Sequence, residues 1–446
     1  MENESQIPAN REFDSRFAGI VLTKPISDAR IHVMKARRKL TYLERSAETQ
    51  VNSLSRFFPC VMVTGARQVG KSTMLKKLMP EGMRYVSLDD YLVAEYARKD
   101  PKGFLDEWGH PLCIDEIQYA PGLLRGIKLK VDESGQEPGM YWLTGSQRFV
   151  MMKGVSESLA GRIGIVDLHS LSQRETGQEN LSCCPFNPEH PAMQMQQNNI
   201  CGVTELFERI YRGGYPRLIQ QSALSPAAYF SAYVQTYVER DVQALTQVSN
   251  QASFMKLMRS AAMRTGQQLV YSDLARDAGI SPKTAAAWVS ILQASGIVEL
   301  LEPYYINTTK RLAKTPKLYF MDTGLCCWLA GWENATQLMN SGYAGAILET
   351  WVYGQLVRSY ANAGQACRLT YYRDRNGAEV DFVLEKNGCL YPMEVKRSSS
   401  PSTHDLRWVS QIPTGSAELK PGIIFCTADS FIPMPFGAAG FPISAL

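Results

Sequence analysis

The chain has 446 residues, 45% hydrophobic and 20% charged, a balance that suits a soluble globular protein and is too apolar for disorder along the whole length. At roughly 150 residues per domain the length predicts about three domains. The 47 basic and 43 acidic residues leave a net charge of only +4, so any basic surface for a polyanion must be local.

No run approaches the ~18 apolar residues of a spanning helix. The first residues, MENESQIPANREFDSRF, lack the apolar stretch of a secretory signal. Ten cysteines and five histidines include no CxxC spacing, which argues against structural zinc and for buried thiols in a reducing compartment. A cytoplasmic protein is expected. Residues 1–35 read as a flexible leader, followed by a basic run (Lys35, Arg37, Arg38, Lys39) that suits a solvated helix face. Short apolar strands then alternate with amphipathic stretches: VMVT (61–64), MRYVSL (83–88), PLCID (111–115), MYWLT (140–144) and IGIVDL (163–168). That alternation predicts an α/β core over 36–175, a parallel sheet with helices on both faces. Residues 176–202 are rich in Pro, Asn and Gln and read as a loop or insert. The chain turns helical from 203 to 335, where YSDLARDAGI, Ser281-Pro282 and KTAAAWVSILQASGIVELL predict helix, turn, helix and strand. Residues 336–446 return to mixed α/β.

Within the core, Gly65-Ala66-Arg67-Gln68-Val69-Gly70-Lys71-Ser72 fits GxxxxGK[ST] between a strand and a helix. The glycines permit the tight turn, the loop amides face inward, and the helix N-terminus adds positive potential under a phosphate. Lys71 is placed for the β- and γ-phosphates of ATP, Ser72 for Mg²⁺ and Thr73 for the α-phosphate. About 45 residues on, the strand Leu112–Ile114 delivers Asp115 and Glu116 to the carboxyl end of the sheet, where ligands bind in open α/β folds. Asp115 is expected to hold Mg²⁺ through water and Glu116 to deprotonate the attacking water. Ser146 and Gln147, after the next strand, are both candidates for sensing the γ-phosphate. Arg162, Arg148 and Arg240, in that order, are candidates for the cation on the developing charge, often supplied by a neighbouring subunit.

Together, TGARQVGKST, CIDEIQ, LTGSQRF, LAGRIG, RGGYPRL, YVERDV, the helix-turn-helix unit, YFMDTGL and VDFV…MEVK resemble the prokaryotic AAA-type ATPases with a C-terminal domain of the DUF4143 type. The resemblance runs from about residue 36 to the end, departing in the long leader and in the 176–202 segment. It implies an ATP-binding P-loop core, a winged-helix middle and a nuclease-like end.

In the middle unit the second helix offers Lys283 and then alanines, a poor set for reading bases. Lys310, Arg311, Lys314 and Lys317 beside Tyr304, Tyr305 and Tyr319 suggest phosphate contact with DNA without sequence preference; a packing module that passes on the nucleotide state is the rival.

At the end of the chain, Asn387-Gly388 predicts a two-residue hairpin turn, so paired positions sum to 775. Asp381 then faces Glu394, Glu379 faces Lys396, and all four share one face. Opposed carboxylates need a neutraliser, and a divalent ion is one; Lys396, Arg373 and Arg375 are another. Asp followed by Glu-x-Lys resembles restriction-endonuclease-like nucleases, which implies Asp381 and Glu394 on Mg²⁺, Lys396 orienting water and Glu349 as a further carboxylate. Pro392 predicts an edge or irregular position in the second strand. The expected function is an ATP-hydrolysing, DNA-associated, homo-oligomeric ATPase coupled to the nuclease-like end. The rival is a regulatory ATPase whose inactive tail binds a protein partner.

Overall fold

The computed structural model describes residues 41–146, 158–178, 181, 184–195, 200–237, 251–306 and 315–446. The expected leader and its basic run lie outside them.

Five strands, β1 (Cys60–Thr64), β2 (Arg84–Ser87), β3 (Leu112–Asp115), β4 (Tyr141–Gly145) and β5 (Ile163–Asp167), form one parallel sheet in the order β2-β3-β4-β1-β5. Strand β1 is buried at every position, as a strand covered on both faces must be. Its alternate residues go to different cores. Cys60 and Met62 join Phe104, Leu105, Leu123 and Ile127 of the helices Pro101–Trp108 and Leu123–Glu133. Val61 and Val63 join Met74 and Leu75 of the helix Lys71–Leu78. This second core continues without a break into the middle and C-terminal parts, so Leu43–Leu446 is one compact unit. Burial pushes the Cys60 and Cys113 thiols up to about 12, so they pack as protonated, apolar groups.

Among the described residues the middle part is built from the helices Val203–Arg212, Pro216–Gln220, Pro226–Tyr237, Gln251–Met263, Tyr271–Ala278 and Pro282–Ala294, with the two-residue strand β6 (Gln267–Gln268). Gly279 ends the helix Tyr271–Ala278 in the left-handed region at φ 68°, and the Ser281 hydroxyl caps the helix Pro282–Ala294 by accepting from the Thr284 amide at 3.1 Å, with Pro282 in its first turn. Antiparallel strands β7 (Val298–Leu301) and β8 (Lys317–Phe320) follow, in the order β6-β8-β7. Two motifs then meet: Asp322 caps the helix Thr323–Leu329 through the Leu325 amide and also accepts from the Gly214 amide at 2.9 Å. A Cβ at Gly213 would lie 2.4 Å from the Asp322 carboxylate, which explains the glycines of RGGYPRL.

In the C-terminal part the helix Ala344–Asn362 lies against a seven-stranded mixed sheet. Its strands are β9 (Leu369–Arg373), β10 (Glu379–Lys386), β11 (Cys389–Lys396), β12 (Glu418–Leu419), β13 (Ile423–Cys426), β14 (Ile432–Pro433) and β15 (Ala439–Pro442). The hairpin has the expected register, Lys386 opposite Cys389 and Phe382 opposite Met393. Asn387 and Gly388 both have positive φ, 51° and 75°, the geometry that suits the twist of the flanking strands. Pro392 is not at a sheet edge. Strand β11 is interior; β12 pairs Cys389–Leu390 and β13 pairs from Met393 onward, so Pro392 falls in the gap between two ladders, where a missing N–H costs nothing. A parallel bridge from Pro303 to Tyr371 ties the middle part to β9.

The described part of the 176–202 segment is docked on the C-terminal part. Phe186 is buried against Phe425 and Phe441, its amide donates to the Ser359 hydroxyl, and its carbonyl accepts from Tyr360. Phe186→Ala is expected to lower stability by ~3–5 kcal/mol; denaturant unfolding followed at the C-terminal tryptophan and tyrosine signals checks it, and a loss below ~1 kcal/mol would make the segment a loosely laid strap.

Candidate functional site

The segment between β1 and the helix Lys71–Leu78 turns so tightly that only glycine fits its start. Gly65 has φ 140°, and a Cβ there would lie 2.0 Å from the Leu168 carbonyl oxygen. Gly70, at φ 101°, and Gln68, at φ 60°, complete a left-handed run of the kind that turns amides toward an anion. Ala66 and Val69 pack their side chains into the core, Arg67 is half-buried, and Gln68 and Thr73 are exposed. The Lys71 ammonium donates to the Gly65 and Ala66 carbonyls at 3.0 and 2.9 Å. An arriving phosphate offers it a charged acceptor instead.

Ser72 Oγ donates to Asp115 Oδ1 at 2.7 Å. Asp115 sits at the carboxyl end of β3, and its carboxylate also accepts from Thr144 Oγ1 and from the Tyr85 hydroxyl at 2.6 Å. Burial and that carboxylate push the Tyr85 phenol up. Glu116, next in the chain, has left-handed φ/ψ of 57° and 48°, and its amide donates to Thr144 Oγ1 at 3.0 Å. Gln118 Nε2 bridges the Glu116 carboxylate and Ser146 Oγ. Ser72, Asp115, Glu116 and Ser146 are therefore one connected group through Thr144 and Gln118, with Lys71 held on the loop carbonyls beside Ser72; Gln147 lies outside the described residues. A hydroxyl and a carboxylate in contact beside the loop fit a Mg²⁺ held by Ser72 directly and by Asp115 through water.

Sequence reasoning missed what holds the loop from behind. Arg45 is buried. Its Nε pairs with Glu175 at 3.0 Å, one terminal nitrogen donates to the Val69 carbonyl at 2.8 Å, and the other donates to the His169 carbonyl at 2.8 Å. Glu175 also accepts from the Ser46 and Ser172 amides at 2.9 and 2.8 Å. With the Val69 carbonyl bonded outward, its neighbouring amides are free to face a phosphate. The only sequence signal was the capping box Ser172–Glu175.

Two contacts join the loop to the middle part. The Tyr229 hydroxyl donates to Gln68 Oε1 at 2.8 Å, and Gly296 is so close that a Cβ there would lie 3.3 Å from the Ala66 nitrogen. A cavity of about 380 Å³ opens between them, lined by Gly65, Ala66, Val69, Tyr215, Gly296 and Asp322 among others.

The place of Arg162 narrows its expected role. It immediately precedes β5, at the amino edge of the parallel sheet, while the phosphate loop leaves the carboxyl edge. Five strand residues separate the two edges, roughly 13 Å, and the Arg162 guanidinium pairs with Asp132 at 2.7 Å. It cannot serve the phosphates of its own chain. Arg148 and Arg240 lie outside the described residues.

The C-terminal carboxylates do come together. Glu394 accepts from Lys396 at 2.5 Å, and Lys396 stands 4.0 Å from Asp381, which also accepts from the Val395 amide at 2.8 Å. Asp381 sits where the β9 ladder shifts register, between Val380 and Val383. Burial, with Asp381 adding to it, raises the Glu394 pKa; burial raises that of Glu349 against the pull of Lys317. Lys317 was the surprise. It is 2% exposed and bonds Glu349 at 2.9 Å and Glu379 at 2.7 Å. Glu349 also accepts from the Tyr319 hydroxyl, and Glu379 pairs with Arg373 at 3.0 Å. The expected basic patch is thereby corrected: Lys317, Tyr304 and Tyr319 are buried and unavailable to a nucleic acid, while Lys310, Arg311 and Lys314 lie outside the described residues. Among the described residues no group of three or more His, Cys, Asp or Glu side chains is arranged to hold a metal ion, and no helix is long and apolar enough to cross a membrane.

Residues 58–177 match the model of an AAA domain, 203–336 that of a domain of unknown function (DUF8612), and 344–446 that of a domain of unknown function (DUF4143). The chain is 29% identical over 347 residues to uncharacterized proteins of Mycobacterium tuberculosis and Mycobacterium bovis, covering 77% of this chain and 71% of each relative. Among solved structures it is similar to a Walker-type ATPase of Pyrococcus abyssi, with TM-score 0.43 and 13% identity, over 65% of this chain and 96% of that one. An AAA domain of the P-loop ATPase type and a DUF4143 domain are thus present in one chain.

Removing one partner of the Arg45–Glu175 pair strands a buried charge. Arg45→Met is expected to cost ~3–5 kcal/mol of stability and to weaken ATP binding. The double variant Arg45→Met/Glu175→Met should recover most of the stability and none of the affinity. Denaturant unfolding and nucleotide titration read the two effects separately; equal recovery of both would deny the loop any dependence on Arg45.

Proposed function

We propose that this protein is an ATP-hydrolysing switch whose nucleotide state is passed from the phosphate loop to the middle and C-terminal parts. The observation that carries the reading is the Ser72–Asp115 contact beside a left-handed glycine loop, with Glu116 adjacent. In this proposal the amides of Gly65 to Thr73 cradle the phosphates of ATP, and Lys71 exchanges its carbonyl acceptors for β- and γ-phosphate oxygens. Ser72 and Asp115 hold Mg²⁺, which when bound neutralises charge on the transferring group. Glu116 takes the proton of the attacking water, and Ser146, with Gln147 beside it, contacts the γ-phosphate. Arg162 acts in trans on a second copy, which makes the active species a homo-oligomer.

Support for transmission comes from the Tyr229–Gln68 contact and the Gly296–Ala66 approach, because a loop that moves to admit phosphate must move both. The C-terminal part is proposed to be the output, binding a protein partner. A second reading, metal-dependent DNA cleavage there, is favoured by the meeting of Asp381, Glu394 and Lys396. The winged-helix middle and its DNA contacts then rest on the residues around Lys310, Arg311 and Lys314.

Glu116→Gln should keep ATP and lose ~10²–10⁴-fold in turnover, whereas Lys71→Ala should lose ATP binding. Single-turnover hydrolysis and nucleotide titration distinguish them, and a Glu116→Gln protein of undiminished rate would remove Glu116 as the base. Arg162→Ala should lower turnover with affinity kept, and mixing it with Lys71→Ala protein should restore part of the rate, since each supplies what the other lacks. Absence of rescue on mixing would reduce Arg162 to a partner of Asp132.

A further inference from the structure

Where the AAA core meets the C-terminal part, a small cleft opens between two helices. One wall is the helix Gln173–Gly177, which carries Arg174. The other is the helix Ala344–Asn362, where Gln355, Ser359 and Asn362 follow at i, i+4 and i+7 and so share a face. The helices are joined beside the cleft, the Gln173 amide donating to Gln355 Oε1 at 3.0 Å. The cleft has a volume of about 20 Å³, room for one water-sized group, and no aspartate or glutamate lines it.

The polar groups of its walls are not equally engaged. Ser359 Oγ donates to the Leu356 carbonyl at 2.8 Å and accepts from the Phe186 amide at 3.1 Å. Ser172 is committed to Glu175. Three groups remain. Gln355 is 2% exposed, and its Nε2 has no hydrogen-bond partner. Asn362 is 6% exposed, and its side-chain amide makes no hydrogen bond among the described residues. Arg174 is half-buried with an unpartnered Nε, and among the described residues its guanidinium makes neither a hydrogen bond nor an ion pair. Glu175, next in the chain, is taken up by Arg45, two amides and a hydroxyl.

Buried donors in folded chains are nearly always paired, so three unpaired donors around one cleft mark a missing acceptor. Water satisfies an amide but does not compensate a charge. An arginine stays protonated at any ordinary pH, although burial works against the charge of Arg174. The missing acceptor is therefore negative. A guanidinium fork takes two oxygens at once, and the two amides approach from the opposite wall, so the acceptor presents oxygens in more than one direction.

We propose that this cleft is an anion site in which Arg174, Gln355 and Asn362 hold the oxygen edge of a tetrahedral oxyanion of the phosphate or sulfate class, the rest of the ion standing in solvent as the small volume requires. The bound ion clamps the helix Gln173–Gly177 to the helix Ala344–Asn362, one residue from the Glu175 that holds the phosphate loop. The site is separate from that loop and does not rest on ATP hydrolysis.

The test uses the full chain in the Lys71→Ala background, which takes the phosphate loop out of the measurement, with inorganic phosphate and sulfate as probes. Calorimetric titration should show a saturable phosphate site that Arg174→Met weakens at least ~10-fold. Gln355→Glu keeps the acceptor that Gln173 uses and supplies Arg174 with an internal carboxylate. It should raise the melting temperature in buffer free of both anions and abolish the uptake. Phosphate and sulfate also stabilise proteins by exclusion from their surface, so the melting response that counts is the difference between variants. Should Arg174→Met fail to fold, Gln355→Glu and Asn362→Asp carry the same test. Absence of saturable uptake in the background protein would leave water as the occupant. Uptake that survives both Arg174→Met and Gln355→Glu would belong elsewhere, and acetate bound in place of phosphate would name the wrong class of anion. Each of these three results overturns the proposal.

Discussion

A buried ion pair fixes the geometry on which the phosphate loop depends. Taking the Arg45 guanidinium and the Glu175 carboxylate out of water costs several kcal/mol per ion, which their mutual attraction offsets only when the remaining donors and acceptors are also satisfied. They are: the guanidinium reaches two carbonyls, and the carboxylate takes two amides and a hydroxyl. The two carbonyls belong to Val69 in the loop and His169 just after β5. The pair therefore sets the distance between the loop and the strand that flanks it, at the edge where a phosphate must bind. The constraint is directional as well as energetic, because one bonded carbonyl decides which way the neighbouring peptide planes face.

What lies on the other side of that loop is not solvent but the rest of the protein. One apolar core runs from Val61 and Val63 through Phe254 and Leu292 to Phe382 and Phe441. Interiors packed to crystal-like density transmit displacement rather than absorb it. The Ala66–Gly296 approach is the clearest case: the Ala66 backbone takes the space where a side chain at Gly296 would stand, so the turn before β7 packs on the loop by backbone rather than by a flexible side chain. From β7 the Pro303–Tyr371 bridge leads directly to β9. Backbone alone thus joins the turn at Gly296 to the C-terminal sheet, with the phosphate loop packed beside that turn and Lys317 on the neighbouring strand.

The parts legible in the sequence were those set by local chemistry. GARQVGKS needs its glycines for reasons internal to eight residues, and Asn387-Gly388 dictates a turn whose register follows by arithmetic. The same arithmetic brought Asp381 to Glu394. What stayed illegible was set by partners far away in the chain. Arg45 and Glu175 are 130 residues apart and neither belongs to a run that looks unusual. Phe186 was hidden in a polar stretch whose average composition reads as loop, although one aromatic side chain suffices to dock it. Lys317 was misread because a run of cations resembles a solvated face until the carboxylates that bury one of them are known. The edge on which Arg162 lies was illegible because LAGRIG only shows that it precedes an apolar run, while the parallel sheet decides which end of that strand it occupies.

The Lys317 error is instructive about the C-terminal cluster itself. Opposed carboxylates on a hairpin pose a question of neutralisation, and a divalent ion is only one answer to it. A lysine ammonium carries half the charge of Mg²⁺ and no coordination geometry, so it compensates less per site but can be delivered by the chain itself. Four carboxylates against Lys317, Lys396 and Arg373 leave a residual negative charge. Burial raises the pKa of Glu349 and Glu394, which lets a proton take up part of that charge. Its compensation is distributed over three cations and available protons. Withdrawing Lys317 would leave Glu349 with no ion-pair partner given by these contacts and Glu379 with Arg373 alone, so the middle part, through one side chain of β8, sets the charge balance of a cluster in the C-terminal part.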